Sequence, residues 1–265
     1  MTTFQEMHRP GDPFILANAW DVGSARMLVA LGAQAIATSS AGYAFTRGLP
    51  DGGHVGRAEA IAHAAELAAH VAVPVSADLE DGYGPSPEDC AETVRLTAAA
   101  GLAGCCIEDV SPEGHAYDRG LAIERMAAAA EAVPQGFVFC ARADGVMHGL
   151  YDIDEALARL QAFEAQGVSV LYAPMPGGPE ELRRIVAETS TPVNALVAGP
   201  WTQQSRAALA EIGVARISLG SALARATHQV IRDAGRAMFQ GGDFTNLGGI
   251  GAGEVDGLLA EGAKT

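Results

Sequence analysis

The sequence predicts one α/β domain, a (β/α)8 TIM-type barrel with a C-terminal helical extension. Three observations carry this. Short apolar or β-branched runs recur eight times along the 265 residues. Stretches with apolar residues at helical spacing lie between them. The first run leads into Asn18-Ala-Trp-Asp-Val-Gly-Ser24, without the GxGxxG loop that an open doubly wound sheet carries. Nearly continuous apolar runs suit parallel strands buried on both faces, and about 250 residues is the usual size of such a barrel.

The elements follow in order. Strand one is Pro13–Ala19 and strand two Gln34–Ser40, with a helix between them stopping at Leu31-Gly32. The helical stretch Arg57–Ala69 precedes strand three, Pro74–Glu80, and Pro87–Ala99 precedes strand four, Gly104–Asp109, with its stop at Ala100-Gly101. Phe137–Asp144 and Ser169–Pro174 are strands five and six, around the helix Ile153–Gln166 and Gly167. Pro192–Val197 and Arg216–Ser221 complete the set around Thr202–Ile212, which stops at Gly213. A glycine there accepts the left-handed conformation that ends a helix. Residues 222–265 leave the repeat: a long helix, Ala222–Phe239, precedes Gly241–Gly253, which is too glycine-rich for regular structure. No low-complexity linker divides the chain, so residues 1–265 read as one domain.

Composition narrows the function. Seventeen Lys+Arg against 32 Asp+Glu give a formal charge of −15, which argues against nucleic acid or an anionic membrane as partner. No apolar run reaches the ~18 residues of a membrane span. The start, MTTFQEMHRPGDP, lacks the apolar stretch and small-residue site of a signal peptide. Cys90, Cys105, Cys106 and Cys140 show no CxxC spacing, so buried reduced thiols in a cytoplasmic protein are expected.

A (β/α)8 barrel places its chemistry at the C-terminal ends of its strands. Strand two ends in Thr38-Ser39-Ser40, strand three in Asp78-Leu79-Glu80-Asp81, strand four in Glu108-Asp109 and strand five in Arg142-Ala143-Asp144, while strand seven carries Asn194. Period-two alternation puts Asp78 and Glu80 on one face. With Glu108 beside them, three carboxylates would raise one another's pKa values unless a divalent cation joined them. All-oxygen ligands favour Mg2+ or Mn2+. The alternative is solvated loop acids, or ion-pair partners of Arg142. Arg142 ends an apolar strand, where a guanidinium suits two-point capture of a carboxylate or phosphoryl group; the alternative is a structural pair with Glu108 or Asp144. Ser39 and Ser40 offer donors to an anion, or simply cap a helix. The seven histidines form no HxH or HExxH spacing, and no GxSxG is present. Only His115 is placed to reach over the site, and exposure is its expected state.

These motifs together resemble the isocitrate lyase/phosphoenolpyruvate mutase superfamily. Asp78-Leu-Glu-Asp-Gly-Tyr-Gly84 resembles its DxDxGYG signature, Cys106-Ile-Glu-Asp109 its IED motif, Cys140-Ala-Arg-Ala-Asp144 its ARxD segment and Gly48-Leu-Pro-Asp51 its GxPD loop. Thr38-Ser-Ser-Ala41 and Pro192-Val-Asn194 are similar to its substrate-binding segments. The resemblance implies that Asp78 and Glu80, with Asp51 and Glu108 through waters, hold Mg2+ or Mn2+. It implies a substrate side formed by Trp20, Ser39, Ser40, Ala41, Asp78, Arg142 and Asn194, and catalytic roles for Asp51, Glu108 and Arg142. It further implies a homo-oligomer, dimer or tetramer, with the C-terminal helix exchanged between subunits, and a gating loop over Val110–Arg119.

The departures select within the family. The KKCGH-type lyase loop is replaced by Val-Ser-Pro-Glu-Gly-His-Ala-Tyr-Asp-Arg119, with no cysteine and no lysine. Isocitrate-type cleavage is therefore set aside, and a mutase-like subgroup remains. Strand six ends in Ala173-Pro174-Met175, without the histidine of the phosphonopyruvate-forming mutases. Glu80 replaces the usual aspartate. The expectation is a Mg2+-dependent enzyme cleaving a C–C bond in a small 2-oxo acid through an enolate-like intermediate. P–C bond mutase or hydrolase activity is the second reading, and non-catalytic 2-oxo acid binding the third.

Overall fold

The computed structural model describes residues 2–264. Its strands are β1 Phe14–Ala19, β2 Ile36–Thr38, β3 Val75–Asp78, β4 Gly104–Ile107, β5 Val138–Arg142, β6 Val170–Tyr172, β7 Val193–Leu196 and β8 Arg216–Ser218. All pair in parallel in sequence order, and β1 meets β8 with Leu16 opposite Ser218, closing the barrel. Each predicted run contains one strand. The runs overshoot into rim residues such as Ser39, Leu79, Asp109 and Asp144, which stay buried beyond the point where the ladder has stopped.

The helices are α1 Val22–Ala30, α2 Ser40–Thr46, α3 Arg57–His70, α4 Pro87–Ala99, α5 Arg119–Glu131, α6 Gly145–His148, α7 Ile153–Glu164, α8 Pro179–Glu188, α9 Arg206–Ile212, α10 Ala222–Arg236 and α11 Ala252–Glu261. Local chemistry sets their ends. Ser86 and Asp89 form a reciprocal capping box on α4, with Pro87 in its first turn. Gly32 and Gly213, two of the predicted stops, are left-handed at φ +102° and +100°. The helix expected from Thr202 begins at Arg206, because Ser205 caps it and residues Gly199–Gln203 form a 3-10 turn.

Outside the barrel, strand residues Ile107, Phe139, Leu171 and Ile217 pack on Val94, Met126 and Leu160 of the helices. Fully burying one such side chain stabilises by about 1.5–3 kcal/mol. Inside, Leu16, Val138, Cys140, Val170 and Tyr172 fill the core, and Phe4 and Phe14 plug its lower end beside His8. Arg216 also lies inside, its Nε donating to Asn194 Oδ1 at 2.9 Å.

One stretch of wall is thinly covered. Ile15 of β1 is 46% exposed, at a groove of about 760 Å³ lined by Ala17, Leu28, Leu31 and Leu219. Helix α10 leaves Val230 and Ile231 exposed, while α11 returns to pack on α1. Among the described residues no helix is long and apolar enough to cross a membrane.

Candidate active site

The C-terminal rim of the barrel is built outward from β2 and β3. Ser39 caps α2 by accepting from the Gly42 N–H. Ser40 then donates to Asp78 Oδ2 twice, from its backbone at 3.0 Å and its hydroxyl at 2.8 Å. Thr38 Oγ1 accepts the Asp78 N–H at 2.8 Å. The chain leaves β3 at Asp78, so strand alternation does not carry Glu80. Instead Glu80 adopts φ +46°, in a turn closed by the Gly82 N–H on the Leu79 carbonyl at 2.8 Å. A left-handed non-glycine residue is a strained conformation of the sort found at functional sites. Glu80 Oε2 accepts the Gly53 N–H at 2.7 Å, tying the Asp51–Gly53 loop to the rim.

Arg142 ends β5 and joins the acids. Its guanidinium lies 3.0 Å from Asp78 Oδ1 and 3.0 Å from Glu108 Oε2, and it pairs at two points with Asp144. The Tyr172 ring lies beneath it, 5.1 Å from centroid to guanidinium carbon. The pairing with Glu108 and Asp144 left open by the sequence is therefore present, with Asp78 added.

One guanidinium does not balance this rim. Burial pushes the Glu80 carboxyl up to about 7, opposed by the Gly53 N–H and reinforced by Asp78 and Asp51. Burial also holds Glu108 well above the usual carboxylate range, against the pull of Arg142. Asp51 is raised by desolvation and by the charge of Asp78. Acids in excess of their counter-charges, with Glu80 buried, Asp78 and Glu108 half-buried and Asp51 exposed, all offer oxygen, the donor chemistry that a hard divalent cation takes. Among the described residues no three acidic, histidine or cysteine groups form a ready-made cage. Mg2+ needs none, since it keeps several waters and uses one or two carboxylates.

A layer of buried ion pairs supports the rim, and the sequence did not reveal it. Asp109 accepts from the Asp144 N–H at 2.8 Å, Tyr151 Oη at 2.7 Å and Arg159 at 3.0 Å. Tyr117 Oη donates to Asp81 Oδ2 at 2.7 Å while its ring lies under Arg125. These hydrogen bonds join residues 35 to 50 positions apart, which no local pattern encodes. They also fasten the Val110–Arg119 segment, which forms a small hairpin (Val110 with Ala116), leaving Pro112–His115 projecting outward.

The remaining predicted residues divide. Trp20 follows β1 on the same rim, close against Gly42, and Ala41 is buried in the first turn of α2. Asp51 lies on the loop that Glu80 holds, within electrostatic reach of Asp78. Asn194 is wholly buried and internally engaged: Oδ1 accepts from Arg216, and Nδ2 donates to Ser218 Oγ at 2.8 Å. His115 is exposed. All four thiols are free, and Cys106 Sγ lies 3.4 Å from Asp78 Oδ1.

Comparison with known proteins shows the family. Residues 4–239 match the family described as phosphoenolpyruvate phosphomutase. An uncharacterized protein of Mycobacterium tuberculosis is 35% identical over 240 residues, 90% of either chain. The 2,3-dimethylmalate lyase of Eubacterium barkeri is 30% identical over 181 residues, 64% of this chain and 62% of that one. A crystal structure from Burkholderia cenocepacia, bearing only the general designation lyase/mutase, is 39% identical with a TM-score of 0.91, covering 97% of this chain and 94% of that one. The chain thus belongs to the phosphoenolpyruvate phosphomutase family, among the lyases and mutases of the isocitrate lyase/phosphoenolpyruvate mutase superfamily.

Proposed function

We propose that this enzyme cleaves a carbon–carbon bond in a small 2-oxo acid through an enolate-like intermediate, with Mg2+ or Mn2+ as cofactor. The observation that carries the reading is the convergence of Asp51, Asp78, Glu80 and Glu108 on one rim, where Arg142 is the one guanidinium touching them among the described residues. Asp78 and Glu80 would hold the cation, with Asp51 and Glu108 acting through waters. When bound, the cation supplies Lewis-acid stabilisation to charge developing on the 2-oxo oxygen.

The protein's own groups do the rest. Asp144 keeps Arg142 oriented, and the N–H groups now shared with Asp78 and Glu108 would turn to a substrate carboxylate. Ser39, Ser40 and Ala41 line the side where the other anionic end would lie, and Trp20 walls it. Asn194, locked by Arg216 and Ser218, forms the floor. Val110–Arg119 would close above. The E. barkeri relative is a lyase by name, which supports C–C cleavage. So does the absence, among the described residues, of a second cationic side chain paired with these acids that could take a phosphonate.

The description of the matched family favours P–C bond chemistry as a second reading. A screen of oxaloacetate, substituted malates and phosphonopyruvate with Mg2+ separates the two. Turnover of a carboxylate substrate is expected. Turnover of phosphonopyruvate alone establishes the second reading. Ligand-induced stabilisation without turnover of any of them would reduce the protein to a 2-oxo acid binder.

We also read residues 1–265 as one domain of a cytoplasmic homo-oligomer, dimer or tetramer, in which α10 of the 222–265 extension reaches a second copy while α11 stays on its own α1. Exposed Val230 and Ile231 on α10 complement the open groove at Ile15. Sedimentation should show an oligomer, dissociated by the paired changes Val230→Asp and Ile231→Asp.

A further inference from the structure

His63 stands on α3, the helix that follows the Asp51–Gly56 loop, and is 6% exposed. Its ring stacks on Tyr43, with centroids 3.8 Å apart and planes 13° from parallel. Burial pushes the imidazole down to about 4, so the ring is neutral near pH 7. Its Nε2 is enclosed by protein and has no hydrogen-bond partner. Buried polar atoms are nearly always satisfied, and an exception asks for an explanation. A small cavity supplies one. About 10 Å³ of it is open to the centre of a water molecule, between His63, Thr38, Ser39, Ser40, Asp78 and Glu80. That is the room one water needs, and these walls carry the two to four polar partners it requires.

We propose that this cavity holds a structural water joining His63 Nε2 to the carboxylate rim, which makes His63 a positioning residue for Asp78 and Glu80. With its proton on Nε2 the ring donates to the water, and the water donates onward to a carboxylate oxygen. The acid so held keeps its remaining lone pairs aimed at the mouth of the barrel. The stack on Tyr43 fixes the ring plane, so the water has one place to sit. The proposal rests on the reading of Asp78 and Glu80 as cation ligands.

Two measurements test it. A high-resolution crystal structure of the metal-free protein should show a water within hydrogen-bond distance of His63 Nε2; a dry cavity overturns the proposal. His63→Phe keeps the stack and removes the nitrogen, so Mg2+ affinity measured by calorimetry should fall about 10-fold or more, as for other residues that orient metal ligands. His63→Gln, which can still reach the water, should recover most of that loss. Unchanged Mg2+ affinity in His63→Phe overturns the positioning role. Should His63→Phe not fold, the same comparison is made with His63→Gln and His63→Ala. If the unaltered protein binds no Mg2+, the cation reading fails, and the crystallographic water alone decides the role of His63.

Discussion

Arg142 and Asp144, two residues apart in the chain, form a two-point ion pair: Nε lies 3.0 Å from Oδ1, and a terminal N–H meets Oδ2. Asp144 is wholly buried and is itself gripped from behind by Asp109, which accepts its backbone N–H. The guanidinium plane is therefore fixed by one partner, while its other N–H groups face Asp78 and Glu108 on the rim. Arg142 is thus a structural ion-pair partner, and under the proposed function it would also meet substrate.

Arg142→Lys separates these roles. Lysine keeps the charge but loses the planar fork. A charged hydrogen bond lost to substrate costs on the order of 1.5–3 kcal/mol, or about 10- to 150-fold in kcat/KM. Asp144→Asn, by contrast, leaves a buried guanidinium short of its partner and should cost stability on the order of 3–5 kcal/mol. Kinetics and melting temperature on the same preparations check both. Near-normal kcat/KM in Arg142→Lys with a lowered melting temperature would defeat the substrate-clamp role.

Glu80 should make the metal-free protein less stable as pH rises. Its carboxyl titrates at about 7 in the fold against 4.5 as a free side chain. Between these values the folded state holds more protons than the unfolded one, so the free energy of unfolding falls with rising pH. The loss is on the order of 3 kcal/mol. Glu80→Gln should flatten this slope in denaturant titrations from pH 4.5 to 7.5. A cation competes with the same proton, so Mg2+ affinity should rise through pH 7 in the unaltered protein.

His8 works in the opposite direction. Burial and the nearby Arg216 push its imidazole down to about 3, from 6.5 when free. The unfolded chain takes up a proton below pH 6.5 that the folded state refuses until about 3. Stability is therefore lost as pH falls across that window, by on the order of a few kcal/mol. Burial pushes His63 to about 4, so it adds to the same acid limb. His8→Gln removes one titration; an acid limb of unchanged steepness would show that His8 is charged in the fold.

Barrel and rim were legible because buried parallel strands write themselves as apolar runs, and polar residues ending such runs have little else to do. Asp78, Glu108 and Arg142 were placed together on that ground. Glu80 was reached by extending alternation past the strand, but it sits on the rim because it adopts a left-handed conformation itself, ahead of Gly82, and a glutamate does not announce that. The partners that lock Asn194, Arg216 and Ser218, come from the next strand over and appear only when the barrel closes. The same holds for Asp109 with Tyr151 and Arg159. The open wall at Ile15 was hidden for another reason: α10 has a normal helical pattern, and nothing local says which surface it covers.

The contact between the two rim loops gives the last prediction. Gly53 has φ +71°, and a Cβ built on it would lie 2.7 Å from the Cβ of Pro112. Its N–H also holds Glu80. Gly53→Ala therefore meets two costs, the left-handed backbone at roughly 1–2 kcal/mol and the clash with Pro112. The loop must shift, and the Glu80 hydrogen bond shifts with it, so Mg2+ affinity should fall together with the melting temperature. Pro112→Gly removes the clashing ring and leaves its Cα, 3.9 Å from a Cβ at position 53, as the nearest atom, so the double variant should recover the steric part and keep the backbone part. A double-mutant cycle reads that coupling directly. Additive losses, with no recovery in the double variant, would show that the two loops do not bear on one another.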